Sequence, residues 1–253
     1  MKEFSKIFHQ ITYRHDFMRA FDDFITMAIC ALSMGRMEPV YLDTIKGYSK
    51  DELILFGNLL GSLILEYENR STKCGAWYDG LGDFFMENNS KFGQAARGQF
   101  FSPDHVCDMM AKITNRDDGL SEGKICDPAC GSGRMLIAFD RISPKYRYEN
   151  FYVGGDVDLR CVKMCVLNMY LYGLKGAVIH MNSLSMEIWG GYRIFMPETG
   201  LGIRPLDKNQ CLQYLQSKED EPEQDLEVLR PFEPLKISIQ ELKPEKAFQL
   251  TLF

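Results

Sequence analysis

No apolar run in this sequence is long enough to cross a bilayer. The longest stretch, Leu53 to Leu65, is interrupted by Gly57, Asn58, Gly61 and Ser62, whereas a membrane-spanning helix needs ~18 or more consecutive apolar residues. A signal-peptide pattern is missing at the N-terminus as well, and the two absences together predict a cytoplasmic protein. Cysteine pairing of the metal-binding kind is also lacking. None of the eight cysteines forms a C-x-x-C pair; Cys126/Cys130 and Cys161/Cys165 are four apart, in or beside apolar segments, and the four histidines are scattered. That distribution argues against a zinc site and for reduced, buried thiols. Positive charge is short too: Lys and Arg number 29 against 35 Asp and Glu, a net charge of −6. This excludes a broadly basic, nucleic-acid-coating protein, but not DNA binding through a local patch.

What is present is the make-up of an ordinary globular chain, 45% hydrophobic and 25% charged over 253 residues, enough for one mid-sized domain and a smaller one. Residues 1–97 read as a helical domain. Phe17, Phe21, Phe24, Ile25, Ala28, Ile29 and Leu32 recur at helical spacing and stop near Gly35, as one buried helix face does. Ser49 and Glu52 form a capping box ahead of a helix over Leu53 to Tyr67. Trp77, Leu81, Phe84 and Phe85 mark a third, shorter helix. These stripes read as core, and no chemistry is visible among them. After a break at 95–98, Gln99-Phe100-Phe101-Ser102-Pro103 leads into a helix to about Ile113, capped by Ser102 or Asp104.

The rest of the chain is organised around Lys124-Ile125-Cys126-Asp127-Pro128-Ala129-Cys130-Gly131-Ser132-Gly133. A short apolar strand runs into a glycine-rich turn, and Met135 to Phe139 open a helix. Gly131 and Gly133 allow positive φ and close approach of a ligand to the backbone, and the first amides of the helix point at the same space. A glycine turn alone is weak evidence. Here Asp127 stands at the carboxyl end of strand one, and Asp156 at the end of a second strand, Phe151 to Asp156. That layout is a nucleoside-binding α/β crevice. A helix over Leu159 to Tyr172 follows, then a third strand from Ala177 to His180 leading into Asn182-Ser183-Leu184, and a fourth from Tyr192 to Met196. The alternation predicts a short parallel α/β sheet over 98–205 with right-handed crossovers. Asn209 to Gln216 can form one more short helix. Acidic residues and Pro222, Pro231, Pro234 and Pro244 otherwise make 206–253 a largely disordered acidic tail.

Phe101-Ser102-Pro103 followed by Asp127-Pro128-Ala129-Cys130-Gly131-Ser132-Gly133 resembles the N6-adenine DNA methyltransferases. Among them it is most similar to the modification (M) subunits of type I restriction-modification systems. The resemblance implies a helical domain ahead of a Rossmann-like S-adenosylmethionine-dependent methyltransferase sheet, here truncated. It also implies S-adenosyl-L-methionine as cofactor, DNA as substrate and a partner subunit. Phe101, Ser102 and Pro103 would touch the methionine end of the cofactor. Asp127 with the turn residues Ala129, Gly131 and Gly133 would hold its amino-acid moiety. Asp156 would accept both ribose hydroxyls, Val157 and Asp158 would lie beside the adenine, Asn182 would face the adenine amino group, and Leu184 would pack on the ring. The alternative reading is that Asp127 and Asp156 cap helices and Asn182 is a turn residue.

The family's catalytic tetrapeptide, Asn/Asp-Pro-Pro-Phe/Tyr at the end of strand four, receives a flipped-out base: polar acceptors take hydrogen bonds from its amino group and the aromatic ring stacks on it. No such tetrapeptide occurs in this sequence. Strand four instead runs into Met196-Pro197-Glu198-Thr199, in which Met196 is a weak acceptor and Thr199 cannot stack. The expectation is a cofactor-binding homologue that is weak or inactive in methyl transfer by itself. The chain finishes with Gln249-Leu250-Thr251-Leu252-Phe253, similar to the peptides that dock on the DNA sliding clamp through a polar anchor and a few apolar side chains. On that reading the chain is an adaptor; on the other, Leu250, Leu252 and Phe253 fold back on the globular body.

Overall fold

The computed structural model describes residues 1–74, 79–88, 101–114, 123–142, 149–195 and 202–216. Helix α1 (Lys2–Thr12) buries Phe4, Phe8 and Ile11, one face at helical spacing. Helix α2 (Phe17–Leu32) starts at Asp16, whose carboxylate accepts from the Arg19 amide at 3.0 Å, and stops where Met34 (φ 55°) and Gly35 (φ 83°) turn left-handed. A short helix α3 (Glu38–Thr44) and a 3-10 turn lead to α4 (Lys50–Cys74). Its capping box is present: the Ser49 amide donates to Glu52 Oε2 at 2.8 Å, and the Glu52 amide returns to Ser49 Oγ at 3.4 Å. Helices α5 (Gly80–Asn88) and α6 (Asp104–Thr114) complete the helical part. The first turn of α6 hydrogen-bonds to the carbonyl of Pro103.

The α/β part runs β1 (Lys124–Asp127), α7 (Arg134–Ile142), β2 (Phe151–Asp156), α8 (Leu159–Leu171), β3 (Gly176–Asn182), β4 (Glu187–Phe195), β5 (Gly202–Leu206) and α9 (Lys208–Gln216). The sheet has five strands in the order β1-β2-β3-β4-β5. β1, β2 and β3 pair in parallel, as the alternation predicts. β4 does not: it pairs antiparallel to β3, with Asn182 opposite Glu187 and Gly176 opposite Ile194, and β5 is antiparallel to β4. The expected parallel fourth strand is thereby corrected. The physical reason is the connection. A parallel crossover takes a dozen or so residues, and between Asn182 and Glu187 the chain instead makes a tight hairpin. Asn182 Oδ1 accepts from the amides of Leu184 and Ser185, at 3.0 and 3.2 Å, and Met186 is left-handed at φ 58°.

The two sheet faces are covered differently. One face carries Tyr152, Val178, Ile194 and Ile203 into a core that also contains Val162 and Val166 of α8 and Phe4, Phe8, Phe21, Phe24 and Phe84 of the helical part. Helical and α/β parts thus share one continuous core. The other face presents Phe151, Val153, Ile179, Met181 and Ile188 to Cys211 and Tyr214 of α9. Phe151 and Tyr214 stack with ring centroids 5.6 Å apart. Helix α9 is therefore a packed element, and the expected disordered tail, from 217 onward, lies outside the described residues. Among the described cysteines Cys30, Cys107, Cys130, Cys161, Cys165 and Cys211 are buried, as expected, and Cys126 is exposed. Among the described residues no helix is long and apolar enough to cross a membrane.

Candidate cofactor site

The parallel half of the sheet brings the ends of β1 and β2 side by side, with Asp127 opposite Gly154. The turn after β1 is pinned to β2 twice: the Cys130 amide donates to the carbonyl of Gly155 and the Gly131 amide donates to Asp156 Oδ2, each at 2.9 Å. Gly131 (φ 53°) and Gly133 (φ 93°) hold the left-handed conformations that the turn needs. They also allow close approach. A Cβ on Gly131 would come within 3.0 Å of the Phe101 ring, and one on Gly133 within 2.8 Å of Cys165 Sγ. Phe101 thus lies on the turn, so the two stretches that carry the resemblance, Phe101–Pro103 and Asp127–Gly133, meet in space.

Both strand-end carboxylates are engaged by backbone amides and by no described cation. Asp127 Oδ1 accepts from the Ala129 amide at 3.1 Å, and Asp156 Oδ1 accepts from the Asp158 amide at 2.9 Å. Burial pushes the Asp127 carboxyl above its ordinary value; the Ala129 amide opposes that shift and the neighbouring Asp156 charge adds to it. Each carboxylate oxygen has two acceptor positions, so both groups keep capacity for a ligand's donors. Two carboxylates beside a helix N-terminus make a crevice for a group with cationic and hydroxyl donors as well as an acidic end.

The remaining predicted residues line or flank this crevice to different extents. Ser102 and Pro103 are exposed, and the Ser102 carbonyl accepts from Arg134 Nη1 at 3.2 Å. Val157 and Leu184 are 62% and 98% exposed at the mouth. The Val157 carbonyl accepts from His180 Nε2 at 3.1 Å, and the hairpin leans back over the crevice through a hydrogen bond from Ser183 Oγ to the carbonyl of Pro128. Asn182 forms that hairpin, and the two amides it accepts fill both lone pairs of its side-chain oxygen. Met196, Pro197, Glu198 and Thr199 lie outside the described residues, but Phe195 before them pairs with Gly202, beyond the Ile194–Gly176 pair. Strand four therefore ends at the amino edge of β3, opposite the crevice. Gln249, Leu250, Leu252 and Phe253 also lie outside the described residues.

A sequence profile of the N-6 DNA Methylase family matches residues 76–193, a span that contains the turn, both carboxylates and the hairpin. A curated relative, the type I restriction enzyme MjaVII methylase subunit of Methanocaldococcus jannaschii, is 29% identical over 100 residues, which is 38% of this chain and 17% of that protein. The chain thus matches less than a fifth of that relative's length. A crystal structure described as a class I S-adenosylmethionine-dependent methyltransferase from Listeria monocytogenes superposes with a TM-score of 0.46 at 14% identity, covering 73% of this chain and 55% of that one. A modification subunit of a type I restriction enzyme from Vibrio vulnificus superposes with a TM-score of 0.30 at 18% identity, over 58% of this chain and 28% of that one.

Within residues 76–193, sequence reasoning missed the residues that brace the turn from behind. Arg134, the first residue of α7, is 7% exposed and Asp79, just ahead of α5, is 0% exposed. Arg134 Nε donates to Asp79 Oδ2 at 2.6 Å and Nη2 donates to Asp83, while Ser132 Oγ donates to Asp79 Oδ2 at 2.5 Å. A signal was present in the sequence. A cation at a helix N-terminus opposes the helix dipole, so an arginine directly after Gly133 calls for acidic partners from elsewhere in the chain.

Proposed function

We propose that this chain binds S-adenosyl-L-methionine in the crevice between the turn at 127–133 and Asp156, as a homologue of the adenine-N6 DNA methyltransferases that transfers methyl groups weakly or not at all by itself. The observation that carries the binding half is the pair Asp127 and Asp156. They stand at adjoining parallel strand ends around a positive-φ turn, with no described cation to neutralise them. The cofactor supplies an activated methyl group on a positively charged sulfur. Asp127 takes the ammonium of its amino-acid end beside the turn, Asp156 takes the ribose hydroxyls on its remaining lone pairs, and Phe101 closes over the turn. Val157 and Leu184 offer apolar surface to the adenine. Asn182 holds the hairpin that presents Leu184, because its side-chain oxygen is already committed.

The inactive half rests on two observations. No Asn/Asp-Pro-Pro-Phe/Tyr occurs in the sequence, and β4 runs away from the crevice. Among the described residues nothing at the end of β4 then offers the acceptors and stacking ring that a flipped adenine requires. Calorimetric titration with S-adenosylmethionine and a transfer assay on adenine-containing DNA test the two halves separately: the first gives saturable heat, the second gives no methyl incorporation. Transfer at the rate of a working methyltransferase would refute the inactive half. DNA and a partner subunit enter the proposal because the matched relatives are methylase and modification subunits of which this chain covers only part. The adaptor reading, docking of Gln249 to Phe253 on the sliding clamp, rests on sequence; deleting 249–253 abolishes clamp retention if it holds, and unchanged retention rejects it.

A further inference from the structure

Asp79 lies in the stretch where the sequence shows no chemistry, yet its carboxylate accepts four hydrogen bonds. Oδ1 accepts from the Gly82 amide at 2.7 Å and from Asn168 Nδ2 at 2.8 Å; Oδ2 accepts from Ser132 Oγ at 2.5 Å and Arg134 Nε at 2.6 Å. All four acceptor positions are filled, at a residue with 0% exposure. Asn168, on α8, also donates to the carbonyl of Ser132 at 2.7 Å and accepts from the Tyr67 hydroxyl at 2.5 Å. Ser132, the residue between the two left-handed glycines, is therefore gripped by side chain and by carbonyl. The guanidinium that faces Asp79 continues to Asp83 and to the carbonyl of Ser102, and sits 5.6 Å from the centre of the Phe101 ring.

We propose that Asp79 is a positioning residue for the cofactor turn: through Ser132 and Arg134 it fixes the Gly131-Ser132-Gly133 backbone and the Phe101–Ser102 segment in one arrangement, so that the helical part is a working half of the site. This rests on the cofactor reading above. A buried ion pair of this kind adds little to stability compared with an apolar replacement. It does impose a single geometry, which is what a turn with two left-handed residues lacks by itself and what a binding site needs from its supporting residues. A second link between the same two parts serves as the control. Arg160 on α8 grips Asp22 on α2 at 2.5 and 2.6 Å, and none of its described hydrogen bonds or ion pairs reaches the turn or Phe101–Pro103.

The test compares Asp79→Asn and Ser132→Ala with Asp22→Asn in the full chain, reading hydrogen exchange by mass spectrometry over 130–136 and over β2 and β3, together with calorimetric S-adenosylmethionine affinity. The first two variants speed exchange in the turn about tenfold while leaving β2 and β3 protected, and they weaken the cofactor about tenfold. Asp22→Asn leaves the turn's exchange and the affinity within about twofold. Ser132→Ala removes one hydroxyl and keeps the test available if Asp79→Asn does not fold. Turn exchange unchanged in the first two variants, or raised equally by Asp22→Asn, overturns the positioning role. If the wild-type chain binds no S-adenosylmethionine but the turn alone loosens, the positioning role stands and the cofactor reading falls.

Discussion

Strands β1, β2 and β3 run side by side in one direction and bring Asp127, Asp156 and Asn182 to a common edge, whereas β4 turns back at Glu187 and ends at Phe195 beside the opposite edge. The parallel half is linked by helices α7 and α8, and each begins just past a strand end. That geometry points helix N-termini into the crevice. The antiparallel half is linked by a hairpin and carries its apolar residues into the core and under α9. The candidate crevice and the antiparallel half are thus built in one sheet, and the connections distinguish them.

The comparison breaks most visibly at Tyr214. Truncating it to alanine removes a ring stacked on Phe151 and costs about 3 kcal/mol of stability, measured by urea unfolding, with S-adenosylmethionine affinity within twofold; a tenfold loss of affinity would mean that the two halves are not separable. Asp156→Ala should do the reverse. Losing a charged acceptor lowers cofactor affinity about tenfold to a hundredfold, seen by calorimetry, with a smaller change in unfolding midpoint. Gly133→Ala forces a side chain into a left-handed residue beside Cys165 and destabilises by ~1–3 kcal/mol, whereas alanine at Gly61, where an added Cβ meets nothing within 4 Å, stabilises helix α4 slightly. Equal losses at the two glycines would contradict the conformational argument.

The smallest effect lies far from the crevice, in the capping box. The Ser49 amide, with His15 and the Ser49 hydroxyl, holds Glu52 down to about 2 from its ordinary 4.5. A carboxyl with a depressed folded-state pKa stabilises the fold above its unfolded value and loses that contribution as the medium is acidified. Stability should therefore decline between about pH 4.5 and about pH 2, and Glu52→Gln should flatten this part of the profile. The side chain is half-buried against His15, but a single carboxylate in one helix cap keeps the effect small. An unchanged slope would remove Glu52 from the account.

Elements whose signals are local were legible in the sequence. The Ser49–Glu52 box, the phenylalanine face of α2, the strand Phe151–Asp156 and the glycine turn each declare themselves within a few residues, and all stand in the structure. The reversal before β4 was not legible, because the hairpin contains neither Asn-Gly nor Asp-Gly. It is made by the Asn182 side chain and a left-handed methionine, while Gly190 and Gly191 break the apolar pattern of the strand that follows. Asp79 was invisible for a different reason. Its partners Ser132, Arg134 and Asn168 lie 53, 55 and 89 residues away, and no pattern of spacing announces a contact made only after folding.

The most direct measurement incubates the purified chain with S-adenosylmethionine labelled in its methyl group and adenine-containing DNA, then counts label on protein and on DNA in the same sample. The account predicts label retained by the wild-type chain, retention lost in Asp156→Ala, and none incorporated into DNA. Retention insensitive to Asp156→Ala, or label in the DNA, would contradict it.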